Sequence, residues 1–391
     1  MNETMWALTF DREREDWATS TGLVKERVPV PRLVEPEHGI DRSSVIMKVK
    51  YAGFCGSDRG IWWRKSFGDM ILSSLDEERK SKRITGHELV GEIVEIGSRV
   101  GPKYGYAPGD IVSAESHIVC GTCYQCQHGE SHVCAREKII GISMDGCFAE
   151  YVKLPAKALW PTDLGKIRPE VAAIQEPFGN AVHACQAVDL SGRTVAIFGT
   201  GTIGLFTVLV ARALGAVQVI GIEPDPKNAE KARRLGCDAV ITPAMPPRDT
   251  PWQADPQVRE QILELTRGIG VDVAMEMSGH PSSLNNALKS SRRGGHVILF
   301  GVRNGEAVVQ NFHRVVMNGL TLHGVVGRRI FHTWRITRRL LESTELGIQD
   351  AVWDVILDRG EDTVLDIAEW ERDDFERRIQ QHPKVVIRFA G

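Results

Sequence analysis

The sequence predicts an α/β protein: a doubly wound parallel sheet joined to a second, mostly β domain. Three observations carry that prediction. Apolar strand-like runs alternate with helical patterns from Thr194 to about Val325, and short β-rich runs between Gly and Pro turns fill the stretch from about Val45 to Leu154. A glycine-rich turn also joins the first strand of the alternating region to its first helix. Strand–helix alternation implies crossover connections, and these build parallel sheets covered on both faces.

Along the chain, VIMKVKYAGF, HELVGEIVEIG, GDIVSAES and CFAEYVKL read as strands of a compact, mostly antiparallel, barrel-like domain. The character changes near residue 180. TVAIFG, VQVIGIE, DAVIT, VDVAMEMSG, HVILFGV and LTLHGVVG read as buried strands, with GLFTVLVARALG, PKNAEKARRLG and SLNNALKSSRRG as helices between them. The segment TPAMPPRDTPWQADPQ, residues 242–257, reads as a Pro-rich surface loop. The remaining tail opens with a basic helix-like stretch, FHTWRITRRLLES, and closes with a strand, KVVIRFA, expected to pack back against the first domain. The expected division is therefore 1–178, 179–324 and 325–391, the last completing the first. There is no internal repeat.

Composition narrows the function. Of 391 residues 42% are hydrophobic, enough for a large core, and 48 basic against 51 acidic side chains leave a net charge of −3. A disordered chain would be less apolar and more charged, and a nucleic-acid binder more basic. The start, MNETMWALTFDREREDW, is acidic and broken by charges, unlike a signal peptide. The most apolar stretch, Thr194 to Ile222, is interrupted by Gly199, Gly201, Gly204 and Arg212, so no membrane span is expected. The expectation is a cytoplasmic protein with a small-molecule partner and no nucleic-acid or membrane partner.

The turn Gly199-x-Gly201-x-x-Gly204 follows an apolar strand and opens a helix. The first glycine permits a tight turn, the second lets backbone approach a pyrophosphate, and the third lets helix pack on strand. Thr202 and Ile203 lie in the helix start, whose N–H groups and dipole suit phosphate. Nineteen residues after Gly204, Glu223 ends the next apolar run, where a carboxylate would accept from a ribose 2′-hydroxyl and repel a 2′-phosphate. This is a Rossmann dinucleotide site favouring NAD over NADP, although Lys227 nearby would tolerate the extra phosphate. Taken alone, Glu223 would be a solvated strand-end acid.

Eight cysteines are unevenly spread: Cys120, Cys123, Cys126 and Cys134 fall within 15 residues, with Cys55, Cys147, Cys185 and Cys237 scattered. Such clustering in a large chain argues for metal before disulfides. Four thiolates at this spacing can close a tetrahedral shell, a structural zinc site; an iron–sulfur cluster and a nucleic-acid-binding zinc ribbon are the other readings. A sparser set is Cys55, His87, Glu88 and Glu176, donors suited to a zinc with an open position. Each alone reads equally as packing: Cys55 as a small buried hydrophobe, His87 as a satisfied turn histidine.

Gly86, His87, Glu88, Gly91, Gly97 and Val100 form GHE-x2-G-x5-G-x2-V, which resembles the zinc signature of the medium-chain alcohol dehydrogenases, with the cysteine loop and GTGTIG following in that family's order. The resemblance covers the chain beyond residue 40. It implies a GroES-like catalytic domain interrupted by a Rossmann domain, and two zinc ions per chain, one catalytic and one structural. It also implies a homo-oligomer, commonly a tetramer. Within the family, ESHIVCGTCYQCQHGESHVC, GISMDGCFAEYVKLPAKALW, IQEPFGNAV and VVGRRIFHTWRITRRLLES are most similar to the threonine dehydrogenase branch. That likeness implies a catalytic zinc on Cys55, His87 and Glu176, with Glu88 as an alternating or nearby ligand. Ser57 matches a hydroxyl that takes the substrate's proton, and His117 a histidine that shapes the substrate pocket.

The implied reaction is NAD-linked oxidation of a secondary alcohol, L-threonine to 2-amino-3-oxobutanoate, by hydride transfer. A polyol or sugar dehydrogenase and a non-catalytic cofactor-binding protein are the alternatives. Two departures fall where the substrate should bind. The branch usually reads CGTDxHIY, whereas here CGSDRGIWW puts Gly60 in the histidine's place, leaving cofactor ribose, His117 or water as the proton's exit. The insert over 59–83 carries Trp62 and Trp63, read either as pocket lining or as packing, and a charged run, DEERKSKR, expected on the solvated surface.

Overall fold

The computed structural model describes residues 3–302 and 305–389. Residues up to Pro177 together with those from Leu357 onward form one compact unit, and Phe178–Ile356 a second. Among the described residues no helix is long and apolar enough to cross a membrane.

The first unit is built on the strand Ser44–Phe54. It pairs antiparallel with Glu88–Ile96, with Val385–Arg388 and, along its first half, with Tyr151–Pro155. Ile111–Ala114 and Leu159–Pro161 extend the sheet beyond Glu88–Ile96, and Val364–Asp366 adds a parallel edge beside Val385–Arg388. Val45, Met47 and Val49 point to the core while Lys48 and Lys50 are less buried, the alternation of a sheet with one packed face. Phe54 stacks on Phe148 at 5.7 Å and meets Phe375 edge-on at 5.0 Å. A smaller sheet joins Val24–Pro29, Thr4–Asp11 and Lys82–Ile84.

The 59–83 insert is packed, not loose. Trp62 is fully buried, its indole N–H donating to Glu376 at 3.0 Å, and the partly buried Trp63 lies against the same core. Packing is therefore the role the structure gives both. Arg64 is wedged between the rings of Phe10 and Trp17, at 4.8 and 5.2 Å, and pairs with Glu15 at 3.0 Å. Its cation is thereby kept against aromatic faces and a carboxylate rather than in water. Gly68–Glu78 forms a helix. The charged run is surface only in part. Arg83 at its end is fully buried against Glu78 and Asp145, at 3.2 and 2.9 Å, because strand Lys82–Ile84 turns that side chain inward.

An ionic clamp holds the returning segment. Arg377 donates to Asp362 at 2.6 Å and to Asp374 at 2.8 Å, Arg378 donates to Asp374 at 2.6 Å, and His382 faces Asp362 at 3.1 Å. The Arg377 guanidinium, first among these groups, holds the Asp362 carboxyl well below the usual carboxylate range. A depressed carboxyl pKa stabilises the fold above the unfolded value, ~4, and that contribution disappears as pH falls through the folded value. Asp362→Asn is expected to lower the melting temperature at neutral pH, with the gap to wild type closing in acid below ~4. A gap that persists unchanged in acid would remove the clamp's electrostatic role.

The second unit has six parallel strands. Numbered along the chain as Thr194–Phe198, Gln218–Ile222, Ala239–Ile241, Val271–Glu276, Ser291–Leu299 and Thr321–Gly324, they lie in the order 3-2-1-4-5-6, the doubly wound dinucleotide arrangement. The expected helices appear as Thr202–Ala213, Pro226–Arg234 and Pro281–Ser290. Two details differ from expectation. A helix, Pro256–Leu265, starts inside the Pro-rich segment because Asp255 caps it, accepting from the Gln257 N–H at 3.0 Å, and Pro256 suits its first turn. The return to the first unit comes at Leu357 rather than 325. Residues 326–356 are tied into the second unit by Arg328 to Asn180 at 2.8 Å, His183 to the Gly327 carbonyl at 3.0 Å, and Lys231 to the Val355 carbonyl at 2.5 Å.

Candidate active site

In the first unit, Cys55 ends the central strand and opens the helix Gly56–Trp62, its backbone N–H donating to Asp58 at 2.9 Å. His87 and Glu88 start the neighbouring strand. They follow Gly86, which holds φ +87° where a Cβ would strike the Phe148 ring at 2.4 Å, so glycine is required there. The fold thus brings a cysteine and a histidine–glutamate pair, 32 residues apart in sequence, to one point. Donor atoms of Cys55, His87 and Glu88 all lie within 4.8 Å of one another. Ser57 Oγ is 3.2 Å from His87 Nε2, and Asp58 Oδ1 faces His87 Nδ1 at 3.6 Å. Burial disfavours the His87 imidazolium, but Asp58 and then Cys55 outweigh it and hold its pKa well above the ordinary histidine value.

Glu176 does not join that set; its carboxylate accepts from the Ser116 hydroxyl at 2.6 Å. Glu88 takes its place in the group. His117 stands outside as well, its Nδ1 2.8 Å from Glu137. Gly60 is covered: a Cβ there would lie 2.9 Å from Ser66, so the insert leaves no room for a larger side chain one turn beyond Ser57.

Charge tests whether a divalent cation fits. Glu88 and Glu176 interact with each other, Asp58 with His87, and Arg59 with Cys55, while Lys384 pairs with Glu88. A thiol, an imidazole and a carboxylate converging in a largely buried place, with further carboxylates of Asp58 and Glu176 beside them, form a donor set that fits a divalent cation.

Cys120, Cys123, Cys126 and Cys134 also converge within 4.8 Å. Four sulfurs each 2.3 Å from a zinc would be separated by about 3.8 Å, and Cys123 and Cys134 are 3.7 Å apart. Backbone N–H groups already point at the sulfurs: Cys123 to Cys120 at 3.2 Å, Cys120 to Cys134 at 3.3 Å, Arg136 to Cys134 at 3.4 Å. The Thr122 N–H, first, and then that of Cys123 bring the Cys120 thiol down to about 5. The convergence of the four sulfurs, their spacing and the N–H groups aimed at Cys120 and Cys134 fit a closed metal shell.

The second unit carries the glycine turn. Gly199 has φ +93°, and a Cβ on it would meet Ser278 at 2.6 Å; one on Gly204 would lie 2.0 Å from the Gly199 carbonyl oxygen. A Cβ on Gly201 would meet nothing within 4 Å, so the backbone there fronts open space. Thr202 and Ile203 begin the helix, and no side chain caps its start. The arrangement is a cradle for phosphate. Glu223 is buried at the edge of that cradle, but it is already engaged. One oxygen accepts from the Thr200 N–H at 2.7 Å and hydroxyl at 3.1 Å, the other from the Asp225 N–H at 3.0 Å. It is therefore a brace for the turn as well as a candidate ribose acceptor. Lys227 is exposed.

Sequence reasoning missed Asp58 and Lys384, which contact the donor set, and Ser66, which covers Gly60. Asp58 stood within CGSDR as a buried acid one turn from Cys55, the one signal that was available.

Two family descriptions match the chain: an alcohol dehydrogenase GroES-like domain over residues 41–164 and a zinc-binding dehydrogenase domain over 202–343. The chain is 37% identical over 335 residues to the L-threonine 3-dehydrogenase of Bacillus licheniformis, covering 85% of this chain and 88% of that protein. It is 38% identical over 308 residues to the enzyme of the same name from Pyrococcus horikoshii, covering 79% and 82%. Among solved structures it resembles an alcohol dehydrogenase from Thermus sp. ATN1, with TM-score 0.78 at 23% identity over 98% of this chain and 99% of that one. A zinc-binding dehydrogenase from Sinorhizobium meliloti, bound to NADP, gives TM-score 0.74 at 25% identity over 99% and 100%.

Proposed function

The chain belongs to the zinc-dependent medium-chain alcohol dehydrogenases, enzymes that act on CH–OH groups, and from that premise we propose that it oxidises L-threonine to 2-amino-3-oxobutanoate with NAD. The observation that carries this reading is the meeting of Cys55, His87 and Glu88 beside the Ser57 hydroxyl. The relatives named L-threonine 3-dehydrogenase, at 37% and 38% identity, supply the substrate.

Two zinc ions per chain are proposed. One is held by Cys120, Cys123, Cys126 and Cys134 and is structural; the other is held by Cys55, His87 and Glu88, with Glu176 at hand. When bound, the second zinc supplies Lewis-acid polarisation of the substrate hydroxyl, and the nicotinamide accepts the hydride. The chain's own residues do the rest. Ser57 Oγ, at the rim of the donor set, takes the hydroxyl proton. Asp58 faces His87 Nδ1 and favours a proton there, which leaves Nε2 as the ligating atom. His117, tied to Glu137, borders the substrate. Because Ser66 covers Gly60, the proton's path from Ser57 does not follow that helix face.

The cofactor is proposed to lie in 179–324 on Gly199, Gly201, Thr202, Ile203 and Gly204, with Glu223 disfavouring a 2′-phosphate. Four thiolate ligands and eight cysteines free of disulfides suit a reducing cytoplasm.

A homo-oligomer, a tetramer by family likeness, is the proposed assembly. Thr321–Gly324 is an edge strand, and Val316, Met317 and Leu322 near it are 71%, 73% and 40% exposed. Apolar side chains beside an unpaired edge favour pairing with another copy. Met317→Glu with Leu322→Glu is expected to shift the mass measured by sedimentation equilibrium toward the monomer; an unchanged mass would move the interface elsewhere.

The function is tested by NADH formation with L-threonine, D-threonine, 2,3-butanediol, sorbitol and glucose. Clear preference for L-threonine with NAD supports the proposal. Preference for a diol or sugar moves the protein to the polyol dehydrogenases, and turnover of nothing with a single zinc per chain leaves a cofactor-binding protein.

A further inference from the structure

A buried ion pair lies directly behind the donor set. Lys384 and Glu88 are each 0% exposed. The ammonium donates to one Glu88 oxygen, Oε2, and to the Phe54 carbonyl at 3.2 Å. The other Glu88 oxygen, Oε1, is buried without a hydrogen-bond partner, on a carboxylate that approaches Cys55 and His87.

One role for such a pair is to stitch the strand Val385–Arg388 to the sheet. Backbone pairing already does so: Val385 pairs with Phe54 and Gly53 with Glu88. A buried ion pair adds little stability over apolar residues of the same volume, so stitching alone does not account for its form. The unpartnered oxygen indicates what does. A carboxylate with one oxygen neutralised by an ammonium and the other bare is a metal ligand held in check.

We propose that Lys384 is a positioning residue that sets how far Glu88 engages the metal held with Cys55 and His87. This inference rests on the zinc reading of that set. With its charge balanced by Lys384, Glu88 is a weak donor, and the metal keeps its positive character for the substrate oxygen. Without Lys384, the carboxylate has only the metal to balance it. Lys384 acts through Glu88 and touches no substrate.

The test is a cycle of three variants, Lys384→Met, Glu88→Gln and the double variant. Each is read by metal affinity, by the visible spectrum of the cobalt-loaded protein, and by kcat and KM. Lys384→Met is expected to bind metal about tenfold more tightly, to change the cobalt spectrum as a carboxylate joins the shell, and to lose kcat more than KM. Glu88→Gln leaves the ammonium uncompensated beside the cation and is expected to weaken metal binding by about 10- to 100-fold. The double variant, neutral at both positions, is expected to recover most of that loss. A pair that only stabilises the fold would instead weaken metal binding in both single variants and leave the Lys384→Met cobalt spectrum unchanged, which overturns the proposal. Should Lys384→Met not fold, the comparison of Glu88→Gln with the double variant decides alone: no recovery of affinity refutes it. Wild-type protein that takes up metal only on the cysteine loop would refute the zinc reading itself, a separate outcome.

Discussion

His87→Ala is expected to lower kcat/KM by about a thousandfold or more, since the polarisation of the reacting oxygen by a metal contributes several kcal/mol to transition-state stabilisation. Metal content should fall by one equivalent per chain, from the site proposed where Cys55, His87 and Glu88 converge. The fold should survive. His87 lies at a strand start whose register is fixed by backbone pairing of Gly53 with Glu88 and Ala52 with Leu89, so far-ultraviolet circular dichroism should be unchanged. Cys55→Ser should act in the same direction. Full metal content with full activity in either variant would mean that the convergence of Cys55, His87 and Glu88 is a packing arrangement and that the reaction centre lies elsewhere.

The second large effect separates two glycines of one turn. Gly204→Ala places a Cβ 2.0 Å from the Gly199 carbonyl oxygen and 2.9 Å from its carbon, backbone with no flexible end to yield. The helix Thr202–Ala213 must move away from its strand, and the second unit should lose about 1–3 kcal/mol of stability together with its cofactor affinity. Gly201→Ala meets nothing within 4 Å, so its melting temperature should be that of wild type. The added methyl fills the space where phosphate would approach the helix start. Loss of one or two hydrogen bonds to a charged group, at about 1.5–3 kcal/mol each, should weaken NAD binding by tenfold to a hundredfold or more. Differential scanning calorimetry and cofactor titration distinguish the two. If Gly201→Ala binds NAD normally, the pyrophosphate does not rest on this turn.

These glycines explain why so much of the second unit was legible in the sequence. Positive φ at Gly199 and close approach at Gly204 are local demands, and a local demand leaves a local motif. The same is true of Cys120 to Cys134, where four ligands come from one loop. The first unit's donor set was legible only as fragments, because Cys55 and His87 come from separate elements and spacing says nothing of their meeting. Glu88 and Glu176 could not be ranked from the chain, because the nearness of Glu88 to Cys55 depends on the register of Glu88–Ile96 against Ser44–Phe54, which spacing alone does not show. Lys384 was invisible, since its partner is 296 residues away. Trp62 offered two readings because an aromatic residue near a cysteine ligand looks the same in a pocket and in a core. Glu223 showed the reverse difficulty: position marked it for a ribose, while its hydrogen bonds to Thr200 and Asp225 also make it part of the scaffold.

The discontinuity of the first unit sets an order on biosynthesis. Phe178–Ile356 is one uninterrupted stretch, and its contacts can form as soon as it leaves the ribosome. The sheet around Ser44–Phe54 cannot be finished then, because Lys384 reaches the Phe54 carbonyl from 330 residues further on. Contacts between residues so far apart in the chain carry a loop-closure cost and form late. Until they do, the nascent sheet shows an open strand edge and a carboxylate, Glu88, with no cation to balance it. The pairing of Lys384 with Glu88, and with it the finished surroundings of Cys55 and His87, therefore belongs to the final step of folding rather than the first.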